Sequence, residues 1–151
     1  MNPEILLTAA PEDADRAIIL NGLVAHGAAR AGAPDNKPLA VLVKNDRGET
    51  IGGLWGRTTW RWLFIELLWL PESLRGKGLG VDLIRRAEAE AIARGCVGAW
   101  LDSFDFQAGA RYYTRLGYRV FGRIENYPPG HGRSYLQKIF APPAMSPPRS
   151  E

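Results

Sequence analysis

One segment constrains the fold more than any other, a glycine-rich turn between an apolar stretch and an amphipathic one. It reads Pro71-Glu72-Ser73-Leu74-Arg75-Gly76-Lys77-Gly78-Leu79-Gly80, with three glycines in the last five positions. Glycines leave backbone N–H groups uncovered, a helix start carries partial positive charge, and Arg75 and Lys77 add full charges. This combination predicts a cradle for a diphosphate where the helix begins.

The segments on either side of the turn have different hydrophobic periodicities. Trp60 to Leu70 is rich in aromatic and branched residues and stops at Pro71, which predicts a long, largely buried strand. From Gly80 to Arg94 the apolar residues recur at helical spacing, and Gly95 ends that pattern. Together with a strand at Val97 to Ser103, this order predicts one parallel crossover.

The rest of the chain predicts an α/β (α+β) fold with a mixed, mostly antiparallel sheet. The Pro11-Glu12-Asp13 segment favours a helix start, and an apolar stripe at helical spacing continues to about Ala31. Gly52-Gly53 predicts a bulge or a close backbone approach within its strand. The other expected elements are strands at 39–43, 49–58, 118–124 and 134–140 and a short helix at 107–116.

Length and composition indicate one domain. A chain of 151 residues that is 46% hydrophobic can bury a sizeable core but leaves no room for a second domain. We expect the domain at 1–140 and a disordered, proline-rich tail at 141–151. Glu66 interrupts the best apolar run, so no membrane span is expected, and the N-terminus lacks a signal-peptide pattern. The expected location is the cytoplasm.

The charge and the number of potential metal ligands argue against a nucleic-acid-binding protein and against a metalloprotein. The net charge of +3 is small, and Lys and Arg are spread among acids, which argues against nucleic-acid binding. The chain has one cysteine, Cys96, and two histidines, with no spacing typical of a metal site, so no metal is expected. Cys96 lies between a predicted helix and a predicted strand, where a buried thiol that only packs is ordinary.

Two common phosphate-binding patterns do not fit the turn. A P-loop requires Ser or Thr after its Gly-Lys, whereas Gly78 follows Lys77. The dinucleotide fingerprint G-x-G-x-x-G finds Val81 or Leu83 at its last glycine position, depending on where the count begins. The cradle therefore belongs to another class.

The turn resembles the acetyl-coenzyme A signature of the GNAT superfamily of N-acetyltransferases, Arg or Gln-x-x-Gly-x-Gly or Ala, at Arg75, Gly78 and Gly80. Residues 110–118 resemble the superfamily's aromatic-Tyr-x-x-Leu-Gly-aromatic segment. A closer resemblance is to small bacterial members with a Leu-Trp-x-Pro strand end, an Asp-Ser/Thr-Phe-x-Phe-Gln segment and a Tyr-Pro-Pro-Gly-His loop. These motifs correspond here to residues 68–71, 102–107 and 127–131.

The resemblance implies a GNAT-like fold, with helices on both faces of the sheet and a splayed strand pair. The strand ending at Leu70 would splay from the one at 97–103, and the thioester of acetyl-coenzyme A would point into the gap. The backbone of the first strand would pair with the pantetheine arm, and the turn's N–H groups would hold the pyrophosphate. The cofactor-binding residues implied in this way are Leu68, Trp69, Leu70, Arg75, Gly76, Lys77, Gly78, Leu79 and Gly80.

The implied reaction is acetyl transfer from acetyl-coenzyme A to a primary amine of a small molecule or peptide, by direct attack in a ternary complex. It requires a base that takes the amine proton. Glu66 is the first candidate, since burial in an apolar strand would make its carboxylate a stronger base, and a salt-bridged or rim-exposed glutamate is the alternative. Asp102 is the second candidate, as base or as a binding group for the amine, although Asp also suits strand ends.

Two adjacent tyrosines and one loop complete the candidate site. Tyr113 matches the superfamily tyrosine that sits near the sulfur and protonates the leaving thiolate, with a core tyrosine as the alternative. Tyr112, turned by roughly 100° around the helix, is interpreted as a packing residue. The Tyr127–His131 loop could close over the acceptor or be an ordinary hairpin loop, and its role stays open.

The sequence also leads to a prediction of the oligomeric state and to a second hypothesis about function. Aromatic residues on the hairpin at 58–61 indicate a contact between two copies, so we expect a homodimer. The second hypothesis is a non-catalytic sensor that binds coenzyme A through the same turn and regulates a partner. The sequence does not identify the amine acceptor, because the regions that build its pocket carry the least specific patterns.

Overall fold

The computed structural model describes residues 1–141, which fall into two compact units, residues 1–34 and a second unit that begins at Asp35. The first unit contains the helix α1 (Asp13–Ala31). Gly32, with a φ of +83°, ends this helix by donating its N–H to the carbonyl oxygen of Ala28. The predicted helix and its end at Ala31 are therefore confirmed.

Two further expectations concern the C-terminal tail and membrane-spanning helices. The proline-rich tail expected at 141–151 lies outside the described residues, apart from Ala141. No helix within residues 1–141 is long and apolar enough to cross a membrane.

The second unit is built on a six-stranded sheet. Its elements are β1 (Lys37–Lys44), β2 (Thr50–Thr59), β3 (Trp62–Trp69), α2 (Leu79–Ala93), β4 (Gly98–Phe104), α3 (Gly109–Thr114), β5 (Arg119–Glu125) and β6 (Gly132–Ile139). The strand order is β1-β2-β3-β4-β6-β5, and β3 and β4 are the parallel pair among the described strands. The predicted mixed sheet with one parallel crossover through a helix is confirmed.

The β2–β3 hairpin differs from the prediction at its turn. Trp60 and Arg61 have φ angles of +46° and +63° and connect the two strands. Two successive residues with positive φ form the kind of turn whose twist matches that of the flanking strands. The prediction of a strand from Trp60 is therefore wrong for these two residues, since they reverse the chain.

The glycine pair of β2 allows a close approach between strands, as predicted. A Cβ atom on Gly53 would lie 2.5 Å from the carbonyl oxygen of Val41 in β1. Next to it the register shifts, because Val43 pairs with Gly52 and Lys44 with Thr50, so Ile51 has no partner across the ladder. Such a bulge bends a strand and increases its twist.

Both helices of the second unit pack on the same face of the sheet. Their side chains share one core cluster with Leu63 of β3, Leu101 of β4 and Leu136 of β6. The buried residues of α2 are Leu83, Ile84, Ala87, Glu88 and Ala91. The predicted apolar stripe is thus confirmed, with Glu88 added to it, and Glu88 pairs at 2.7 Å with Lys138 Nζ.

The prediction that the segment before the turn is largely buried is wrong for half of β3. Leu63 and Ile65 are buried, whereas Glu66, Leu67 and Trp69 are exposed. Successive residues of a strand point to opposite faces. Because α2 covers one face of this sheet, the side chains on the other face are left outside the core of the unit.

Candidate active site

The glycine-rich turn leaves a row of backbone N–H groups without acceptors. The Arg75 N–H donates to the carbonyl oxygen of Glu72. The next backbone bond runs from the Asp82 N–H to the carbonyl oxygen of Gly78. Between them, the N–H groups of residues 76–81 have no acceptor within the described part of the chain, and no side chain caps α2. Such a row at a helix start is a binding site for an anion.

Two glycines give this row its shape. Gly76 and Gly78 have φ angles of +73° and +79°, in the left-handed region that side chains disfavour. A Cβ atom at either position would meet no heavy atom within 4 Å. The space in front of the turn is therefore open, and the glycines are required by backbone conformation rather than by packing.

The two basic residues of the turn have different surroundings. Arg75 donates from Nε to the carbonyl oxygen of Leu70 at 2.8 Å, which ties the turn to the end of the preceding strand. That bond occupies the Leu70 carbonyl, while the other guanidinium nitrogens of Arg75 and the Lys77 ammonium make no ion pair among the described residues. Their binding to a diphosphate stays a prediction, and the cradle residues fit such a ligand in charge and in donors.

The strands β3 and β4 separate beyond their first residues, as the resemblance implied. Their pairing runs from Trp62 opposite Gly98 to Ile65 opposite Leu101 and stops there. β3 continues to Trp69, still paired with β2 on its other side. The edge of β3 that faces β4 is therefore open over residues 66–69, where an extended ligand can take the place of a strand.

The separation begins at a bulge. Trp55 of β2 pairs with Leu67, and Gly56 pairs with Ile65, so Glu66 is the extra residue of β3. A bulge bends its strand and redirects the side chain of the inserted residue. Glu66 thus stands where the gap between β3 and β4 opens.

The expectation that Glu66 is buried is wrong. Its side chain is 45% exposed and lies 3.6 Å from the Arg57 guanidinium, so it is a rim carboxylate in a loose ion pair. The expectation came from the apolar residues around Glu66, although Glu66 follows the buried Ile65 and successive strand residues point to opposite faces. The proposed role of Glu66 as a base therefore cannot rest on burial, and only its place at the gap supports it.

Asp102 is held by an arginine that the sequence did not single out. Its side chain is 17% exposed, and Oδ1 accepts a hydrogen bond from Arg133 Nε at 2.8 Å and forms an ion pair with Arg133 Nη2 at 2.6 Å. The guanidinium in turn lies over the rings of Phe104, Tyr127 and Tyr135, at 5.0 to 5.5 Å from their centroids. The other carboxylate oxygen of Asp102 accepts none of the hydrogen bonds found in residues 1–141.

Tyr113 is a buried phenol close to the same strand. It is 6% exposed, and burial together with the charges of Tyr112 and Asp102 raises its pKa to about 12. The phenol is therefore protonated at neutral pH and can donate a proton. Tyr113 lies on α3, whose first residue Gly109 donates its N–H to Ser103 Oγ of β4, next to Asp102 in sequence.

The loop at 127–131 is anchored by a second residue that sequence reasoning missed. Asp105 accepts from the Gly132 N–H at 2.9 Å and from His131 Nδ1 at 2.8 Å. These bonds, the backbone one first, lower the pKa of Asp105. The Tyr127–Pro128 peptide bond is cis. One signal was present in the sequence, since Asp105 comes directly after a predicted strand, and Asp suits strand ends and turns.

Two further features of the chain are its single cysteine and its potential metal ligands. Cys96 is free and buried, and burial raises the pKa of its thiol, in agreement with a packing role. Its neighbour Val97 donates its N–H to the carbonyl oxygen of Arg61, at the hairpin end of the sheet. Among residues 1–141 no three His, Cys, Asp or Glu side chains form a group that could hold a metal ion.

The split strands and the anion cradle at the start of α2 define an acyltransferase of the coenzyme A-dependent type. The Acetyltransferase (GNAT) family model matches residues 11–118. The chain therefore belongs to the GNAT family and is an N-acetyltransferase.

The relatives of the chain agree with this assignment. It is similar to Acetyltransferase Atu2258 of Agrobacterium fabrum, with 37% identity over 136 residues, or 90% of this chain and 98% of that protein. It is also similar to Blasticidin-S acetyltransferase of Streptomyces morookaense, with 46% identity over 98 residues, or 62% of this chain and 71% of that protein. A crystal structure from Agrobacterium tumefaciens matches with a TM-score of 0.86 and 34% identity, covering 91% of this chain and 100% of that one.

Proposed function

We propose that the protein transfers an acetyl group from acetyl-coenzyme A to a primary amine of a small molecule or peptide, by direct attack in a ternary complex. The observation that carries the proposal is the row of free N–H groups at residues 76–81, beside the open edge of β3. Anion donors next to an unpaired strand edge suit a ligand that has a diphosphate at one end and an extended amide-containing arm.

The cofactor side of the site follows from these two features. The turn from Arg75 to Gly80 would hold the diphosphate, and the backbone of Leu68 and Trp69 would pair with the arm. The carbonyl oxygen of Leu70 is less available to the arm, since it already accepts a hydrogen bond from Arg75. When bound, acetyl-coenzyme A supplies the acetyl group as a thioester.

The acceptor side is proposed to lie at the mouth of the gap, between the carboxylates of Glu66 and Asp102. Asp102 is already neutralised by Arg133 and has one carboxylate oxygen without a partner among the described residues. This arrangement suits a group that holds an N–H donor of the amine. Glu66, which is exposed and only loosely paired, is the better placed of the two to accept a proton.

Tyr113 is proposed to hold the proton that the departing thiolate needs. Its pKa of about 12 keeps that proton in place at neutral pH. A general acid of this kind accelerates a reaction by roughly 100- to 10,000-fold. No step requires a cysteine nucleophile, because Cys96 is buried at the hairpin end of the sheet.

Several finer statements belong to the same proposal. The similarity to Blasticidin-S acetyltransferase supports a small molecule as the acceptor, ahead of a peptide. We also propose that the protein belongs to the small bacterial subgroup with a Tyr-Pro-Pro-Gly-His loop. Its proposed location is the cytoplasm, and it is proposed to form a homodimer through the β2–β3 hairpin. Light scattering coupled to gel filtration measures the oligomeric state directly.

The test has two stages. Calorimetry with coenzyme A and acetyl-coenzyme A measures binding, and release of free thiol across a panel of amines, blasticidin S and short peptides included, measures turnover. We expect micromolar binding and turnover on at least one small amine. Binding without turnover on any amine would favour the sensor hypothesis, and no binding would refute the proposal.

Two variants separate the carboxylate roles. Asp102→Asn should raise KM for the amine, because an amide has only one oxygen to accept from both Arg133 and the amine N–H, with a smaller effect on kcat. Glu66→Gln should lower kcat, because it removes the proton acceptor. The reversed pattern, with KM changed only by Glu66→Gln, would exchange the two assignments.

A further inference from the structure

The hydroxyl of Tyr112 occupies a space that a side chain at Gly80 would otherwise fill. A Cβ atom at Gly80 would lie 2.7 Å from Tyr112 Oη, whereas the other nearby atoms, Leu70 Cδ1 and Tyr112 Cζ, are both 3.9 Å away. Gly80 is the second residue of α2 and, unlike Gly78, is not among the residues with positive φ. A side chain at Gly80 would therefore have to displace this hydroxyl.

The Tyr112 hydroxyl has no hydrogen-bond partner within residues 1–141, although the ring is partly buried against the core. If residue 112 served only to pack its ring, phenylalanine would serve as well, because an unpaired hydroxyl at a half-buried position does not stabilise the fold. This hydroxyl lies beside the first turn of α2, whose N–H groups at residues 79–81 also lack acceptors. Two kinds of free donor thus lie at the first turn of α2.

Tyr112 and Tyr113 point to different parts of the site. Their rings are nearly perpendicular, at 86°, with centroids 5.1 Å apart. Tyr113 is buried on α3, whose first residue bonds to Ser103 of β4, and the Tyr112 hydroxyl reaches Gly80 at the cradle. Adjacent residues on α3 thus approach the two ends that the proposed cofactor would present, the thioester and the diphosphate.

We propose that Tyr112 is a cofactor-binding residue whose hydroxyl donates a hydrogen bond to the diphosphate of acetyl-coenzyme A, and that Gly80 lacks a side chain to make room for it. The inference rests on the proposed function for the identity of the ligand. It adds a binding role to the interpretation of Tyr112 as a packing residue, which the contact of its ring with the core supports.

The test is a double-mutant cycle on coenzyme A affinity, measured by calorimetry without turnover. Tyr112→Phe should weaken binding about 3- to 10-fold, as expected for one lost hydrogen bond. Gly80→Ala should weaken it to a similar extent, because its Cβ displaces the hydroxyl. The double variant should bind no worse than Tyr112→Phe alone, because the nearest remaining ring atom lies 3.9 Å from the new Cβ.

Controls keep the outcomes distinct. Tyr135→Phe, on β6 away from the cradle, should leave coenzyme A affinity unchanged, and urea unfolding shows that each variant is folded. ADP has the diphosphate without the arm, so Tyr112→Phe should weaken ADP and coenzyme A by the same factor. If wild-type protein binds neither ligand, the proposed function fails, and this inference fails with it. If wild type binds but Tyr112→Phe is unchanged, or if the two substitutions add, the Tyr112 assignment alone is overturned.

Discussion

The most direct test of the cradle is Gly78→Ala, because the structure separates its cost in stability from its cost in binding. Gly78 has a φ of +79°, and a Cβ there would meet no heavy atom within 4 Å. The stability cost is therefore conformational, about 1–2 kcal/mol for a non-glycine residue in the left-handed region. No clash with the protein adds to it.

The binding cost has a different origin. The new Cβ would project into the open space in front of the free N–H groups, where the diphosphate is proposed to sit. Losing one charge-assisted hydrogen bond costs about 1.5–3 kcal/mol. Coenzyme A affinity should therefore fall about 10- to 150-fold, as measured by calorimetry.

Gly48 provides a matched control. It has a φ of +77° in the β1–β2 turn, and a Cβ there would also meet no heavy atom within 4 Å. Gly48→Ala should show the same loss in urea unfolding as Gly78→Ala, with coenzyme A affinity unchanged. If folded Gly78→Ala binds coenzyme A as tightly as Gly48→Ala does, residues 76–81 are not the diphosphate site.

Three further outcomes are expected. Tyr118→Phe should raise the free energy of unfolding by about 1 kcal/mol in urea melts, because the buried Tyr118 hydroxyl has no partner among the described residues; destabilisation would mean that it has one. Tyr113→Phe should lower kcat about 100-fold or more and leave coenzyme A affinity unchanged. In the wild-type protein, deprotonation of Tyr113 should cause no loss of kcat up to pH 10, because its pKa is about 12. Asp105→Asn should lower the urea midpoint at pH 7 and lower it less at pH 3. A carboxyl whose native pKa is lowered stabilises the fold fully above its ordinary pKa and loses that effect as pH falls through the native pKa; equal effects at both pH values would contradict this.

The parts of the fold that sequence predicted are those set by local chemistry. The α2 stripe follows from spacing along one helix, and its end at Gly95, with a φ of +86°, follows from the one residue that tolerates that conformation. The cradle was predictable because Gly76 and Gly78 serve a backbone need that lies within a few residues. Neither depends on which strand lies next to which.

The parts that were missed depend on register between distant segments. Arg133 meets Asp102 across 31 positions of sequence, through the pairing of β6 with β4. Leu67 and Trp69 are exposed because β2 sets a register in which Glu66 is an extra residue of β3. A period-two pattern cannot show an inserted residue, and it places every side chain after the insertion on the wrong face.

The gap and the cradle have a common origin in β3. The extra residue at Glu66 bends the strand away from β4, which opens an unpaired edge over residues 66–69. The same strand leads through Arg75, bonded to the Leu70 carbonyl, into the free N–H row of α2, so the open edge and the anion donors lie in line. On the other side, α3 carries Tyr112, whose hydroxyl lies beside Gly80, and Tyr113, which is buried where α3 bonds to β4. One strand and one short helix can therefore hold a long ligand at both of its ends, and for this reason changes at Tyr112 should alter affinity while changes at Tyr113 alter rate.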